Sequence, residues 1–390
     1  MIQTVKTGLE QLLADSTRLK GQRLGLLCNQ ASTDRSFRHG RDLINQTLPG
    51  QLTSLFTPQH GFFGDKQDNM IESDHTVDQI SGLPVYSLYG EVRRPTPEMF
   101  SSIDLLLVDL QDVGTRVYTF ISTLAYCLEA ARESGITVVV LDRPNPIGGL
   151  TIEGNLLEKD CRSFVGLYSL PMRHGLTMGE IALIFNEHFG IDAKLEVIPM
   201  AGWRREMTFP ETGLPWLFPS PNMPSFNTAL VYPGQVLWEG TNLSEGRGTC
   251  LPFEIFGAPF IDHQDVLNLL PEESSRGCIL RPIAFEPTSN KHCSVLCQGF
   301  QIQVTDPHLF APYRLSLNLL QIIRHLYPDH FFYKDPPYEY EYEKLPMDLI
   351  IGSQKVRHGL EQGVTVADLE GEWLKDLADF DCLRRKYFLY

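Results

Sequence analysis

What this sequence lacks narrows it quickly. No two cysteines form a Cys-x-x-Cys pair; the eight are scattered from Cys28 to Cys382. That scatter predicts neither a zinc framework nor a disulfide framework. Cys28 and Cys127 sit in apolar runs and read as reduced core thiols. His292, Cys293 and Cys297 form one cluster without a second pair, so no metal is expected. No apolar run reaches the ~18 residues of a membrane span. The N-terminal stretch MIQTVKTGLEQLLADSTRLK shows no basic-then-apolar leader with a small-residue cleavage site. The expected compartment is therefore the cytoplasm, with no membrane partner. There is no Gly-x-Gly-x-x-Gly after the first apolar run and no Gly-Lys-Ser/Thr loop, which removes the usual fingerprints for NAD and ATP. A Gly-x-Ser-x-Gly elbow is missing too, which argues against a serine hydrolase. Positive charge is in short supply: 33 Lys and Arg against 48 Asp and Glu leave a net charge of −15. A nucleic-acid partner, which needs a basic face, is not expected.

What is present is a regular alternation. The 390 residues are too many for one ordinary domain and suit two. Short apolar runs at 23–29, 52–57, 83–89, 103–110, 136–141 and 194–199 predict six strands. Helical periodicity predicts helices over 5–20, 43–48, 96–101, 118–134 and 176–189. Strand, helix and strand in turn, with short loops, define an α/β fold with a Rossmann-like, doubly wound parallel sheet over residues 1–205. From 206 to 390 the pattern changes to a smaller α+β domain. It has an apolar run at 253–261, a helix near 264–270, strands at 279–285 and 299–305, a helix over 313–326 and a helical stretch at 368–389. A cleft is expected at the seam.

Parallel sheets bind ligands beyond the carboxyl ends of their strands. Here those ends carry Asn29, Gln59 and His60, Tyr89, Asp112, and Asp142 with Arg143 and Asn145. Arg116 and Tyr118 follow in Gly-Thr-Arg-Val-Tyr; they either bind a carboxylate or sugar hydroxyls, or Arg116 pairs with Asp112 to pin the turn. Asp142 and Arg143 either serve a ligand or pair with each other. Asp109, inside the fourth run, reads as structural, and Glu72 lies on a polar loop. The second domain opens on residues 219–249, PSPNMPSFNTALVYPGQVLWEGTNLSEGRGT, read as an ordered loop too apolar to be disordered. Glu239, Asn242, Glu245 and Arg247 stand there among glycines that let backbone approach a ligand closely. Carboxylates with Asn, Gln, Tyr and Trp, without a nucleotide loop or metal cluster, suit a glycosidase or a sugar-binding cleft.

The runs TPQHGFFGD, GLPVYSLYGEVRRPTPEM, DLLLVDLQDVGTRVYTFISTLAY and VVVLDRPNPIGG, together with the 219–249 stretch and the terminal DCLRRKYFLY, resemble the exo-β-N-acetylmuramidase (NamZ-type) glycoside hydrolases, formerly a domain of unknown function. The resemblance covers nearly the whole chain. It implies a Rossmann-like domain, a smaller C-terminal domain, and removal of terminal N-acetylmuramic acid from peptidoglycan fragments without a cofactor. The partner implied is a small glycan or muropeptide. Its lactyl carboxylate would suit Arg116, Arg143 or Arg247. The family pattern reads Pro-Glu-His-Gly, whereas this chain has Gln59, and the loop QDNMIESDH replaces the family's Ala-Gly-Glu. Proton chemistry is then expected from Glu72, Glu239 or Glu245, with His60 and Asp112 beside them and Gln59 binding substrate. The competing reading is a non-catalytic amino-sugar-binding protein that has lost a carboxylate.

Overall fold

A computed structural model describes residues 4–390. The six apolar runs become strands of one sheet. In chain order the strands are β1 (Leu24–Cys28), β2 (Leu52–Thr57), the two-residue β3 (Thr76–Val77), β4 (Pro84–Ser87), β5 (Leu105–Asp109), β6 (Thr137–Leu141), a small separate hairpin of β7 (Glu153–Leu156) and β8 (Pro171–Arg173), and β9 (Lys194–Ile198). The sheet order is β3-β4-β2-β1-β5-β6-β9. All neighbours are parallel except the β3–β4 edge.

The central strands β1, β5 and β6 are almost wholly apolar because both faces are covered, while the edge strand β9 exposes Lys194 and Glu196. Leu27, Phe56, Leu106, Val108, Val138 and Val140 point into one core, and Leu24, Leu26, Leu55, Leu105, Leu107 and Val139 into the other. The two sets alternate along each strand, as the two-residue period of a strand requires. Helices α1 (Gly8–Ala14) and α2 (Gly40–Thr47) bury Leu9, Leu12, Leu43 and Ile44 on the second face. After the short α3 (Pro97–Phe100), helices α4 (Phe120–Ser134) and α5 (Met178–Leu183) cover the first. That first core runs on without a break into the C-terminal domain.

The second domain is built from α6 (Phe226–Gln235), β10 (Ile255–Ala258), α7 (His263–Leu269), β11 (Cys278–Phe285), β12 (Cys297–Val304), α8 (Pro312–Leu326), α9 (Pro346–Ile351), α10 (Gln354–Glu361) and α11 (Val366–Arg384). Its three strands form an antiparallel sheet in the order β10-β12-β11.

Several expectations are corrected. The helix expected over 5–20 ends at Ala14, because the Asp15 carboxylate takes the amide and hydroxyl of Thr17 and opens a separate turn. The helix expected over 176–189 is α5 followed by a wide π turn at Ile184–His188. The strand expected over 83–89 stops at Ser87. The stretch 219–249 is not irregular throughout. Ser225 caps α6 by accepting the Thr228 amide at 3.1 Å, and Glu254 holds both hydroxyls. Pro233 and Gly234 hide this helix in the sequence. Gly234 is there because a Cβ would lie 1.9 Å from the Pro312 carbonyl oxygen of α8. The hairpin β7–β8 and helices α9 and α10 carry no expectation at all.

Arg116 fastens these pieces together. Its guanidinium donates to the carbonyls of Asn155 (3.1 Å), Leu170 (3.0 Å), Ile350 (2.8 Å) and Ile351 (2.7 Å). The first two belong to the β7–β8 hairpin region. The last two are C-terminal carbonyls of α9, the dipole end where positive charge is favoured. Burial pushes this guanidinium down to about 10, and carbonyl dipoles meet its charge instead of the Asp112 pairing considered above. Arg116→Met should take a donor from four buried carbonyls, of which Leu170 keeps the Leu157 amide and Ile351 the Asn155 side-chain amide, and cost about 2–3 kcal/mol. A thermal melt that matches the native protein would show the clamp to be dispensable.

Candidate active site at the domain seam

The loops after β2 and β5 meet the 3₁₀ turn Val236–Gly240 and residues 337–341 in a cleft between the domains. The inner chamber is walled by Gln59, His60, Tyr118, Thr119, Phe120, Ser220, Tyr232, Phe253, Glu239 and Glu339. An outer chamber adjoins it, lined by Asp68, Asn290, Lys291 and Lys334. Both chambers share Asn69, Glu239, Arg247 and Tyr338.

Glu239 is aimed by its neighbour. Trp238 is fully buried, stacks on Phe256 at 4.9 Å and donates its indole N–H to Gln235 at 3.0 Å. The short turn that follows α6 is thus pinned, and the next side chain faces the cleft. Glu239 Oε1 accepts from Arg247 at 2.5 Å; Oε2 accepts from Tyr338 at 2.5 Å and from Asn69 at 3.2 Å. Arg247 also pairs with Glu245 at 3.2 Å, and Lys291 pairs with Glu245 at 2.8 Å. Lys291 further donates to the carbonyls of Trp238 and Leu243, which ties the turn down. Burial alone would raise Glu239, but Arg247, Tyr338 and Lys291 hold its carboxyl below the ordinary range. Gly246 and Gly248, at φ of 80° and 76°, give the backbone the left-handed turns that carry Arg247 back over Glu239.

The second carboxylate is one the sequence reading missed. Glu339 lies in YEYEYE, a run that resembles a solvated acidic strip, yet it is only 3% exposed. Its Oε2 accepts from Tyr89 at 2.5 Å and its Oε1 from Gln59 at 3.1 Å. Glu339 and Tyr340 both have positive φ, 47° and 64°, and His60 has 75°. Consecutive left-handed non-glycine residues are costly and persist where the surroundings fix them. Burial pushes Glu339 up to about 7; its two donors oppose that, and the nearby charge of Glu239 adds to it. One cleft therefore holds two carboxyls whose surroundings drive their protonation in opposite directions. Such a separation is what an acid and an ionised partner would need.

His60 is a third polar wall. Its Nδ1–H donates to the Lys66 carbonyl at 2.6 Å, and burial pushes the ring down to about 4. The imidazole is neutral near pH 7 and offers Nε2 as an acceptor.

The structure brings Gln59, His60, Tyr89, Tyr118, Glu239, Glu245 and Arg247 together here, and spends the remaining expected residues elsewhere. Asn29 donates to the Pro219 carbonyl at 2.8 Å and latches the seam segment to the end of β1. Asp112 accepts from the Gly114 amide at 2.7 Å beside His174. The Arg143 guanidinium pairs with Asp109 at 2.6 Å, and only its backbone amide reaches the Asp142 carboxylate, at 3.0 Å. Asp142 accepts from Thr177, the Gly179 amide and Tyr390. Asn145 bridges the Leu176 carbonyl and the Ile147 amide. Asn242 bridges the His330 carbonyl and the Phe332 amide. Glu72 is exposed on its loop. The three arginines considered for a substrate carboxylate are thus all occupied, by carbonyls, by Asp109, and by Glu239 with Glu245.

A mostly parallel sheet joined to a smaller antiparallel domain, with paired carboxyls at the seam, defines the class as a two-domain glycosidase-like α/β protein. Sequence comparison identifies the family. The profile described as exo-β-N-acetylmuramidase NamZ, N-terminal, matches residues 24–227, and the C-terminal profile matches 230–390. The chain belongs to the exo-β-N-acetylmuramidase NamZ family. It is 43% identical to the peptidoglycan β-N-acetylmuramidase NamZ of Bacillus subtilis (strain 168) over 387 residues, 99% of this chain and 91% of that protein. Two crystal structures of DUF1343 family proteins from Bacteroides fragilis are similar along the whole chain. One is 35% identical with a TM-score of 0.89, covering 100% of both chains. The other is 26% identical with a TM-score of 0.78, covering 100% of this chain and 99% of that one.

Arg247→Met should leave Glu239 buried without its ion-pair partner and Glu245 with Lys291 alone, cost about 3–5 kcal/mol, and raise the Glu239 carboxyl because an opposite charge has gone. Arg247→Lys keeps the charge without the fork and should recover only part of the melting temperature. A methionine variant as stable as the native protein would refute the ionic knot.

Proposed function

We propose that this protein is an exo-acting glycoside hydrolase that releases a terminal β-N-acetylmuramic acid from the non-reducing end of peptidoglycan-derived fragments. Family membership and the name of the Bacillus subtilis relative support the substrate class. The observation that carries the reaction is the Glu239 and Glu339 pair, pushed apart in protonation within one cleft.

In this reading Glu339 is the general acid. Its proton passes to the glycosidic oxygen as the bond to the anomeric carbon breaks, so the leaving sugar departs as a neutral alcohol. Glu239, ionised and fixed by Arg247 and Tyr338, faces the positive charge that develops at the anomeric carbon. Water supplies the hydroxyl that completes hydrolysis, and its remaining proton returns to Glu339. Neutral His60 accepts a hydrogen bond from a sugar hydroxyl or amide, and Tyr118 and Tyr232 give the inner chamber aromatic walls. The step needs no cofactor. Glu339 takes the acid role considered above for Glu72, Glu239 or Glu245. No helix among the described residues is long and apolar enough to cross a membrane, and action on imported or recycled fragments in the cytoplasm fits this reading; periplasmic recovery of the native protein on fractionation would refute that location.

A chromogenic β-N-acetylmuramic acid glycoside tests the reading. The native protein should turn it over, and Glu339→Gln and Glu239→Gln should each lower kcat by about a hundredfold or more. Glu339 works in its acid form, so activity should fall as pH rises through about 7. Glu239 works ionised, so the acid limb should lie below the ordinary carboxylate range. The second reading, an amino-sugar-binding protein, draws on Gln59 standing where the family pattern has glutamate. Tight binding of the amino sugar with no turnover at any pH would establish it.

A further inference from the structure

We propose that Gln59 is a positioning residue for Glu339, a fixed N–H donor that sets the orientation of the acid and the pH at which it works, and not a substrate ligand. The inference rests on the reading of Glu339 as proton donor. Gln59 is 4% exposed, and all its donors are taken by the protein. Nε2 donates to Glu339 Oε1 at 3.1 Å and to the Tyr89 hydroxyl at 3.1 Å. Oε1 accepts from Thr119 at 2.6 Å. A carboxylate requires an N–H at one end of the amide and the Thr119 hydroxyl fits the oxygen at the other, so only one amide orientation satisfies both. Tyr89 in turn accepts from the Met70 amide at 3.0 Å and spends its own proton on Glu339. The carboxyl thus receives one donor on each oxygen, and the loop after β2 and the loop after β4 together fix its plane.

Glutamate at position 59 would be nearly the same shape but has no N–H to give. Its oxygen would lie about 3 Å from Glu339 Oε1, where two carboxylates cannot both be ionised and share one proton instead. A shared proton is retained to higher pH and released less readily to a leaving group. Glutamine removes that contest. The other charged and titratable groups facing Glu339 are Tyr89, Glu239, Arg93, Tyr232, Tyr338 and Tyr340. Arg93 lies over the Tyr340 ring at 3.7 Å.

The test compares kcat, KM and the pH profile of the native enzyme with Gln59→Glu, Gln59→Ala and Thr119→Val, on a chromogenic β-N-acetylmuramic acid glycoside. Gln59→Glu should move the alkaline limb of kcat upward by about one unit or more and lower kcat by about tenfold, with KM near native. Gln59→Ala removes a donor that favours the ionised form, so its limb should move up by less. Thr119→Val frees the amide to turn and should shift the limb in the same direction. Thermal melts identify a variant that has lost its fold, and the other two then decide. A native limb and native kcat in Gln59→Glu, or raised KM with unchanged kcat across the series, overturns the positioning role and leaves the glycosidase reading standing. No turnover by the native protein on the glycoside overturns both.

Discussion

A single buried guanidinium sets the character of the whole site. Arg247 lies between Glu239 and Glu245, and Lys291 adds a second cation on the far side of Glu245. Two cations against two carboxylates leave little net charge in the knot, and Glu239 stays ionised within it although buried. Such a knot adds little to stability against an apolar core of equal volume. It keeps Glu239 charged in a place where burial would otherwise neutralise it. Glu339, a short way round the same wall, has hydroxyl and amide donors but no ion pair. Burial wins there. The contrast between the carboxyls follows from where the cations stand.

The fold exists, in functional terms, to hold that contrast in place. The parallel sheet presents Gln59 and Thr119 just past β2 and β5. The second domain presents Glu239 from a short 3₁₀ turn and Glu339 from a left-handed one. Neither domain owns a complete site, so the seam must be rigid. The rigidity comes from residues that looked like ligands in the sequence. Arg116 clamps the hairpin and α9, Asn29 latches Pro219, and Asp109 holds Arg143. Polar residues cluster beyond parallel strands for two reasons. Some face a ligand, and others satisfy the many backbone groups left open where strands become loops.

The parallel sheet was legible because its strands are short, apolar on both faces and spaced by helices; all six runs appear in it. Glu239, Glu245, Arg247, Gln59 and His60 were legible as a cluster because they stand beside glycines and strand ends. The sequence did not distinguish which polar strand-end residues face the cleft, since Arg116 bonded to carbonyls and Arg116 bound to a substrate read alike. Helix α6 was hidden because Pro233 and Gly234 mimic loop composition, while the close approach of α8 demands that glycine. Glu339 was missed because a Tyr-Glu alternation carries neither a core period nor a motif. The signal it did hold was the repeated pairing of an aromatic hydroxyl with a carboxylate directly after Pro336 and Pro337, in a chain whose other carboxylates are mostly scattered singly.

The central claim is that Glu239 and Glu339 hold opposite protonation states in one cleft near neutral pH. Carbon-13 NMR titration of protein labelled at the glutamate side-chain carboxyls measures this directly, with Glu339→Gln and Glu239→Gln samples assigning the two signals. The account predicts one signal that titrates near pH 7 and vanishes in Glu339→Gln, and another that stays ionised to below the ordinary carboxylate range and vanishes in Glu239→Gln. Two signals that both titrate in the ordinary range of an exposed glutamate would contradict it.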